Sequence, residues 1–353
     1  RMYLVKDNRA WFIPILDGFS FTQAPNASEI TLNEMEDSSG RSRRGRKMFT
    51  DSLSAAEFSF STYMRPFKSA GSGAGAADDT QNSHHGVEEV LWALMVGDAT
   101  YSSFSFTGFT ADTTDLDITF ANSNKTTLGT ADFFFVMGGA GSGTKTTYKI
   151  EGCVVNEASV DFDIDGIATI NWSGFGKIIT EDTAPTATVT EATTDTSNFI
   201  RNRLTSLTMS STSPTTTTYD VVLTGGNITI SNNITFITPE EIGIVNVPIG
   251  HVTGTRNISG SFTCYLTEDT STVNASRDFF EDLRAITNVV TNSFALVFKI
   301  GGASGTGLEL NMATSHVEIP THSIEDVISL ETNFQALPST IDGTNELALT
   351  YRP

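Results

Sequence analysis

Lys145 and Thr146 stand just beyond Gly138 and Gly143, the residue types with which a glycine-rich loop holds a nucleotide. Such a loop needs G-x-x-x-x-G-K-[ST], because backbone N–H groups wrap the phosphates while the lysine and hydroxyl reach the outer phosphate and its Mg²⁺. Here Thr144 occupies the lysine position and Lys145 comes one residue late. The following TTYKIEGCVV is β-branched and alternating, which predicts a strand and not the helix whose N-terminus would face a phosphate. A second stretch, FALVFKIGGASGTGLELNM from Phe294 to Met312, repeats the design without a lysine after its glycines. Both stretches therefore predict β-hairpins whose glycines supply positive φ.

Other reactive side chains are scattered. His84 and His85 are adjacent, so they project in different directions, and no partner stands at a zinc-like spacing; solvated loop histidines are expected. His316 and His322 predict ordinary, partly exposed positions. No Ser/His/Asp or Cys/His grouping recurs, and every acid reads as surface charge, so neither an enzyme nor a cofactor is expected. Cys153 and Cys264 lie at non-matching places in the two halves, which argues against a structural disulfide. Two charged stretches remain. In VDFDIDG, Val160, Phe162 and Ile164 point one way and Asp161, Asp163 and Asp165 the other, either as the wet face of a half-buried strand or as a wall that repels phosphate. In GRSRRGRK, the residues Arg41, Arg43, Arg44, Arg46 and Lys47 make a basic run that reads as a solvated loop, a dock for an acidic neighbour or, last, a nucleic-acid contact.

The elements that must carry these residues are mostly strands. The 353 residues suffice for two domains, and 41 acidic against 21 basic side chains give a net charge of −20, which repels nucleic-acid phosphates. Short apolar runs separated by Gly, Ser, Thr and Asn predict a mainly β fold. No run approaches the ~18–20 apolar residues of a membrane span. RMYLVKDNRAWFIPIL is interrupted by charges and does not resemble a signal peptide, so cytoplasmic synthesis is expected.

The repeated hairpin extends into a longer internal similarity. Placing Leu308 on Tyr148, an offset of 160, aligns YKIEGCVVNEASVDFDIDGIATINWSG with LELNMATSHVEIPTHSIEDVISLETNF without a gap, matching Ile150 to Leu310 and Ile170 to Leu330. Phe60 and Tyr63 likewise match Phe262 and Tyr265. Each half has one predicted amphipathic helix. The first uses Val87, Val90, Leu91, Leu94 and Met95 with Gly97 as its stop, the second Phe279, Phe280, Leu283 and Ile286 after a possible N-cap at Ser276. The stretch from Thr180 to Asn198 lacks large apolar side chains and reads as a linker. The expected architecture is mainly β, α+β in detail: a tandem of small β-sandwiches or half-barrels over 1–179 and 199–353, joined by 180–198, each with a flanking helix.

The arm YKIEGCVVNEASVDFDIDGIATINWSGFGKII, with its expected turn at Trp172–Gly174, is preceded by a helix and an apolar strand and resembles the C-terminal portion of bacteriophage tail tube proteins. That resemblance implies small sandwiches whose sheets join edge to edge into a barrel around a lumen, in rings that stack into a tube. A duplicated chain then implies three copies imitating a six-fold ring, a virion location, and contacts with tape-measure, terminator, baseplate or tip proteins. DNA would pass the lumen without specific binding, with Asp161, Asp163 and Asp165 facing it and the basic run at an inter-ring or inter-domain contact. In the second half LETNFQALP replaces the Trp-Ser-Gly ending. A surface adhesin or carbohydrate-binding tandem, and a baseplate or neck protein of the same fold, are the alternatives.

Overall fold

A computed structural model of the chain describes all residues except 31–37, 41–46, 72–81, 121–127, 139–144, 164, 189–198, 212–216, 243, 268–274, 286–293, 325–326 and 353. It is mainly β. Asp7 and Asn8, both at positive φ, make the tight turn between β1 (Met2–Lys6) and β2 (Arg9–Ile13). After β3 (Ser20–Thr22) a paired arm projects, β4 (Pro25–Ile30) with β5 (Lys47–Leu53), and the chain returns along β6 (Ala56–Tyr63). Short pairs follow: β7 (Pro66–Lys68) with β8 (His84–Gly86), then, beyond helix α1 (Glu89–Val96), β9 (Tyr101–Ser102) with β10 (Ser105–Phe106) and β11 (Phe109–Ala111) with β12 (Leu116–Thr119). β13 (Ala131–Met137) and the long β14 (Thr146–Phe162) form the first glycine hairpin, followed by β15 (Thr169–Gly176) and β16 (Ile179–Glu181).

The second half runs through β17 (Ser206–Ser211), β18 (Thr217–Val221) and β19 (Leu223–Ser231) to a second arm, β20 (Thr235–Ile237) with β21 (Gly250–Val252). It continues as β22 (Asn257–Tyr265), α2 (Ser276–Ala285), β23 (Phe294–Ile300), β24 (Gly307–Val317), β25 (Thr321–Ile324), β26 (Ile328–Ala336) and β27 (Ala348–Arg352). Both glycine stretches are hairpins. In the second, Gly301, Gly302 and Gly305 all take positive φ.

Strand order repeats. The first half pairs β2-β1-β13-β14-β15-β6, extended by β3, and the second pairs β18-β17-β23-β24-β26-β22, extended by β19, antiparallel throughout. Two seams join the halves: β14 pairs with β19, and β27 lies between β12 of the first half and β24 of the second. The core runs unbroken across them, with Phe162 and Phe298 rings 5.3 Å apart. The gapless offset of 160 fails at one turn. Asp161 faces Thr169, but it is Ser323 that faces Ser329, so the second half's turn is two residues shorter and Asp161 corresponds to Ser323, not Thr321.

Tertiary packing overturns several local expectations. Every residue of α1 is buried, not one face, because Trp92 packs on Trp172 on one side while Asn232 of the second half donates to Met95 O on another. In α2 Phe279 and Leu283 are buried as expected, whereas Ile286 and the side chain of Phe280 lie outside the described residues. Ser276 opens that helix, but its hydroxyl donates to Tyr265 O at 3.0 Å and accepts from Thr267 N–H at 2.7 Å, tying the helix to β22. Trp172–Gly174 lies inside β15 and makes no turn: Gly174 is there because a β-carbon would stand 2.1 Å from Val154 O. Of the expected linker, Thr180 and Glu181 belong to β16 and Thr188 hydrogen-bonds the β2 residue Ala10, while 189–198 lie outside the described residues.

Candidate functional site: the open face and two ends of the central sheet

The strands β3-β6-β15-β14-β19-β22-β26 form one continuous surface that alternates inward and outward, apart from irregularities at Val155–Glu157 in β14 and Leu223–Gly225 in β19. Phe58, Phe60, Trp172, Val160, Ile230 and Phe262 point into the core. Opposite them lie mostly serine, threonine, asparagine and a few acids, and Lys149, on this side of β14 towards its start, is ion-paired to Asp132 at 3.0 Å and Glu151 at 3.2 Å. The polar side chains bond across strands: Ser61 donates to Asn171, Asn171 to Asp161 at 3.2 Å, Gln335 to Asn257 at 2.9 Å. Each half has a shallow groove on this face, about 470 Å³ lined by Asn227, Ser261 and Asn333 and about 270 Å³ lined by Glu57, Ser59 and Ser173.

Of the three aspartates, only Asp161 stands on the open face. β14 ends at Phe162, so the expected alternation stops there; Asp163 and Asp165 are exposed in the turn, where Asp165 N–H donates to Asp163 at 3.2 Å. That turn, Tyr63, Tyr265 and the Ile324–Ile328 turn share one end of the sheet. The two arms occupy the other end, each entering the strand, β6 or β22, that runs to the first. The basic run falls in the β4–β5 connection: Arg41, Arg43, Arg44 and Arg46 lie outside the described residues, and Lys47 opens β5, exposed. Beside it Met48 and Phe49 are exposed, and the second arm bares Ile242, Ile244, Val245 and Ile249. Asn246 joins the arms. Its backbone accepts from Leu53 N–H at 2.8 Å and donates to Asp51 O at 3.2 Å, while its amide closes its own loop onto Glu241. The apolar run IGIVNVPI was legible in the sequence but carried no sign that it would be bare.

Sequence reasoning also missed a buried polar cluster beneath the seam. Tyr351 of β27 donates to Glu88 Oε1 and accepts from Trp92 Nε1–H at 2.7 Å, and Arg65 N–H faces both Glu88 oxygens at 3.3 Å. Desolvation outweighs these bonds and pushes the Glu88 carboxyl up to about 7. The expectation of solvated histidines fails here. His84 and His85 are both buried, His84 against Asp112 O at 3.0 Å and His85 against Glu89 at 3.1 Å, because β8 packs beside α1 under β27. His316 and His322 are exposed. Among the described residues no three His, Cys, Asp or Glu side chains gather as metal ligands, and no helix is long and apolar enough to cross a membrane.

A family model described as phage tail tube protein matches residues 22–336. Tail tube protein pb6 of Escherichia phage T5 is 31% identical over 344 residues, covering 95% of this chain and 69% of that relative.

Proposed function

The chain belongs to the phage tail tube protein family, and we propose that three copies close into a ring and that rings stack into the tube through which a phage genome leaves the virion. The observation that carries this reading is the β14–β19 seam between two halves of the same strand order. The chain is a duplicated tube domain, 1–179 and 199–353, and each half presents to the next the edge that its predecessor presented to it. Among the described residues β25 pairs only with β26 and β3 only with β6. Laying β3 of a second copy along β25 continues the sheet as β19 continues β14, and closure removes edges that would otherwise template aggregation.

The open face then lines the lumen. Asp161 stands on that wall and Asp163 and Asp165 at its rim, so a passing duplex meets hydroxyls, amides and carboxylates, and Lys149 on the same side of β14 is held by Asp132 and Glu151. The chain's work is structural: its partners are other copies and neighbouring tail proteins, such as those that set tube length and close its ends, and DNA passes without specific binding. Particle images of the assembled protein test the reading. Three chains per ring in long tubes are expected; six chains per ring overturn the duplication argument, and single rings that never elongate point instead to a neck or baseplate part.

A further inference from the structure

The free edges at β3 and β25 do not repeat the side chains of the internal β14–β19 seam. Register fixes the correspondence between them. Asp161 stands opposite Thr169 and Thr169 opposite Tyr63; in the second half Ser323 stands opposite Ser329 and Ser329 opposite Tyr265. Counting outwards, Phe162 corresponds to Ile324. Asn227 and Gly226 of β19, which face Ser261 and Phe262, correspond to Ser20, which faces Ser59, and to Phe19 just before it. At the internal seam Phe162 is opposite Gly226, and its ring lies 5.3 Å from Phe298 in the second half's core. A β-carbon on Gly226 would stand 2.8 Å from the Phe162 ring, so the glycine is what admits it. At the free edges the sizes are exchanged. Phe135 takes the place of Phe298, for the two face Tyr148 and Leu310, which are the same interval apart as Asp161 and Ser323. The ring stacked on Phe135, 5.5 Å away, is Phe19 of the same half, and the residue in the position of Phe162 is the smaller Ile324, 78% exposed.

We propose that β25 receives β3 of a second copy in one register, with Ser323 opposite Ser20 and Ile324 opposite Phe19, so that the large side chain enters this seam from the strand that supplies a glycine to the internal one. This rests on the tube reading and adds to it the register and the side chains that make ring closure specific. His322, on the core side of β25 with Leu330, then faces Phe21 as Val160 faces Ile228, while Ser20 and Ser323 stay on the open face. A slip of one residue would set Ile324 against Ser20 and turn one strand's apolar side to the open face. Each seam thus holds one phenylalanine against one smaller partner, and two large residues there would overpack it. The exchange also lets the chain fold before it assembles. Phe19 covers Phe135 from within, leaving it 0% exposed without a partner, whereas Phe298 is covered by Phe162 across the chain's own seam.

Cysteine pairs in the full chain test the register. Ser20 and Ser323 are exposed on different edges, and Cβ atoms directly opposite across a seam lie about 4.5–5.5 Å apart, against about 7–8 Å for diagonal neighbours. On mild oxidation of assembled rings, a chain carrying Ser20→Cys and Ser323→Cys is expected to give linked pairs and closed triples. It should link at least ~tenfold faster than one carrying Ser20→Cys and Thr321→Cys, because a disulfide cannot span the diagonal distance. The native Cys153 and Cys264 are buried and take no part. Faster linking through Thr321→Cys overturns the register. Ile324→Phe should raise the concentration at which rings form at least ~tenfold, the cost of one overpacked contact, and Phe19→Gly added to it should return that concentration to within ~threefold of wild type. Rings that form as readily with Ile324→Phe alone, or no rescue by Phe19→Gly, overturn the exchange of sizes. A wild-type chain that forms no rings sinks the tube reading itself, a result distinct from both.

Discussion

Replacing Glu88 by glutamine should make the unassembled chain more stable at pH 8 and leave it little changed at pH 4. The carboxyl is 1% exposed, and burial lifts it from 4.5 to about 7 against the opposing pull of Tyr351, Arg65 N–H and the Arg65 charge. The neighbouring Glu89 is paired with His85, and Trp92 completes the shell through Tyr351. A raised carboxyl means that the folded state holds the proton more tightly than the unfolded one. Stability is therefore full below the unfolded value, falls as pH climbs from about 4.5 towards 7, and is level above it. At about 1.4 kcal/mol per pH unit, the loss reaches about 3 kcal/mol. Glutamine keeps an oxygen for the Tyr351 hydroxyl and carries no charge to desolvate, so the difference between variant and wild type should grow across that window. Urea unfolding at pH 4, 5.5, 7 and 8.5, with both proteins below their assembly concentration, measures it. Parallel pH profiles, or a variant less stable at pH 8, would refute the argument that desolvation dominates this site.

Three further outcomes follow from the packing. Gly174→Ala places a β-carbon 2.1 Å from Val154 O and 2.6 Å from the Phe58 ring; since the carbonyl belongs to the paired strand and cannot yield, about 1–3 kcal/mol of stability should be lost, and an unchanged Tm would contradict the close approach. Glu346→Ala strands Arg256, whose guanidinium is buried over Phe120 and bonded to Glu346 at 2.8 Å; the cost should be about 3–5 kcal/mol by denaturant unfolding, with Arg256→Met and Glu346→Leu combined costing clearly less. Cys153 and Cys264 are buried thiols, the latter pushed up to about 11, so a thiol reagent at pH 8 should label both only on unfolding; prompt native labelling would contradict that burial.

What the sequence determined is what local physics encodes. Period-two alternation and glycine-rich turns placed both hairpins, the second with positive φ at Gly301, Gly302 and Gly305; Asp7 and Asn8 placed the first turn, and the apolar spacing located both helices. The mainly β class and the likeness between the halves came from the same signals. Tertiary structure alone decided which edges meet. No property of Glu157–Phe162 distinguishes β19 from any other partner of suitable alternation, and β27 inserts between β12 and β24 from the far end of the chain. Burial followed from those choices: His84, His85 and Glu88 look polar and wet in sequence, yet β27 closes over them and Tyr351 supplies the hydrogen bond. Likewise the Asp161, Asp163 and Asp165 alternation is continuous in sequence but divided in space, because a strand's period acts only while its neighbours keep it extended, and β14 loses its partners after Phe162.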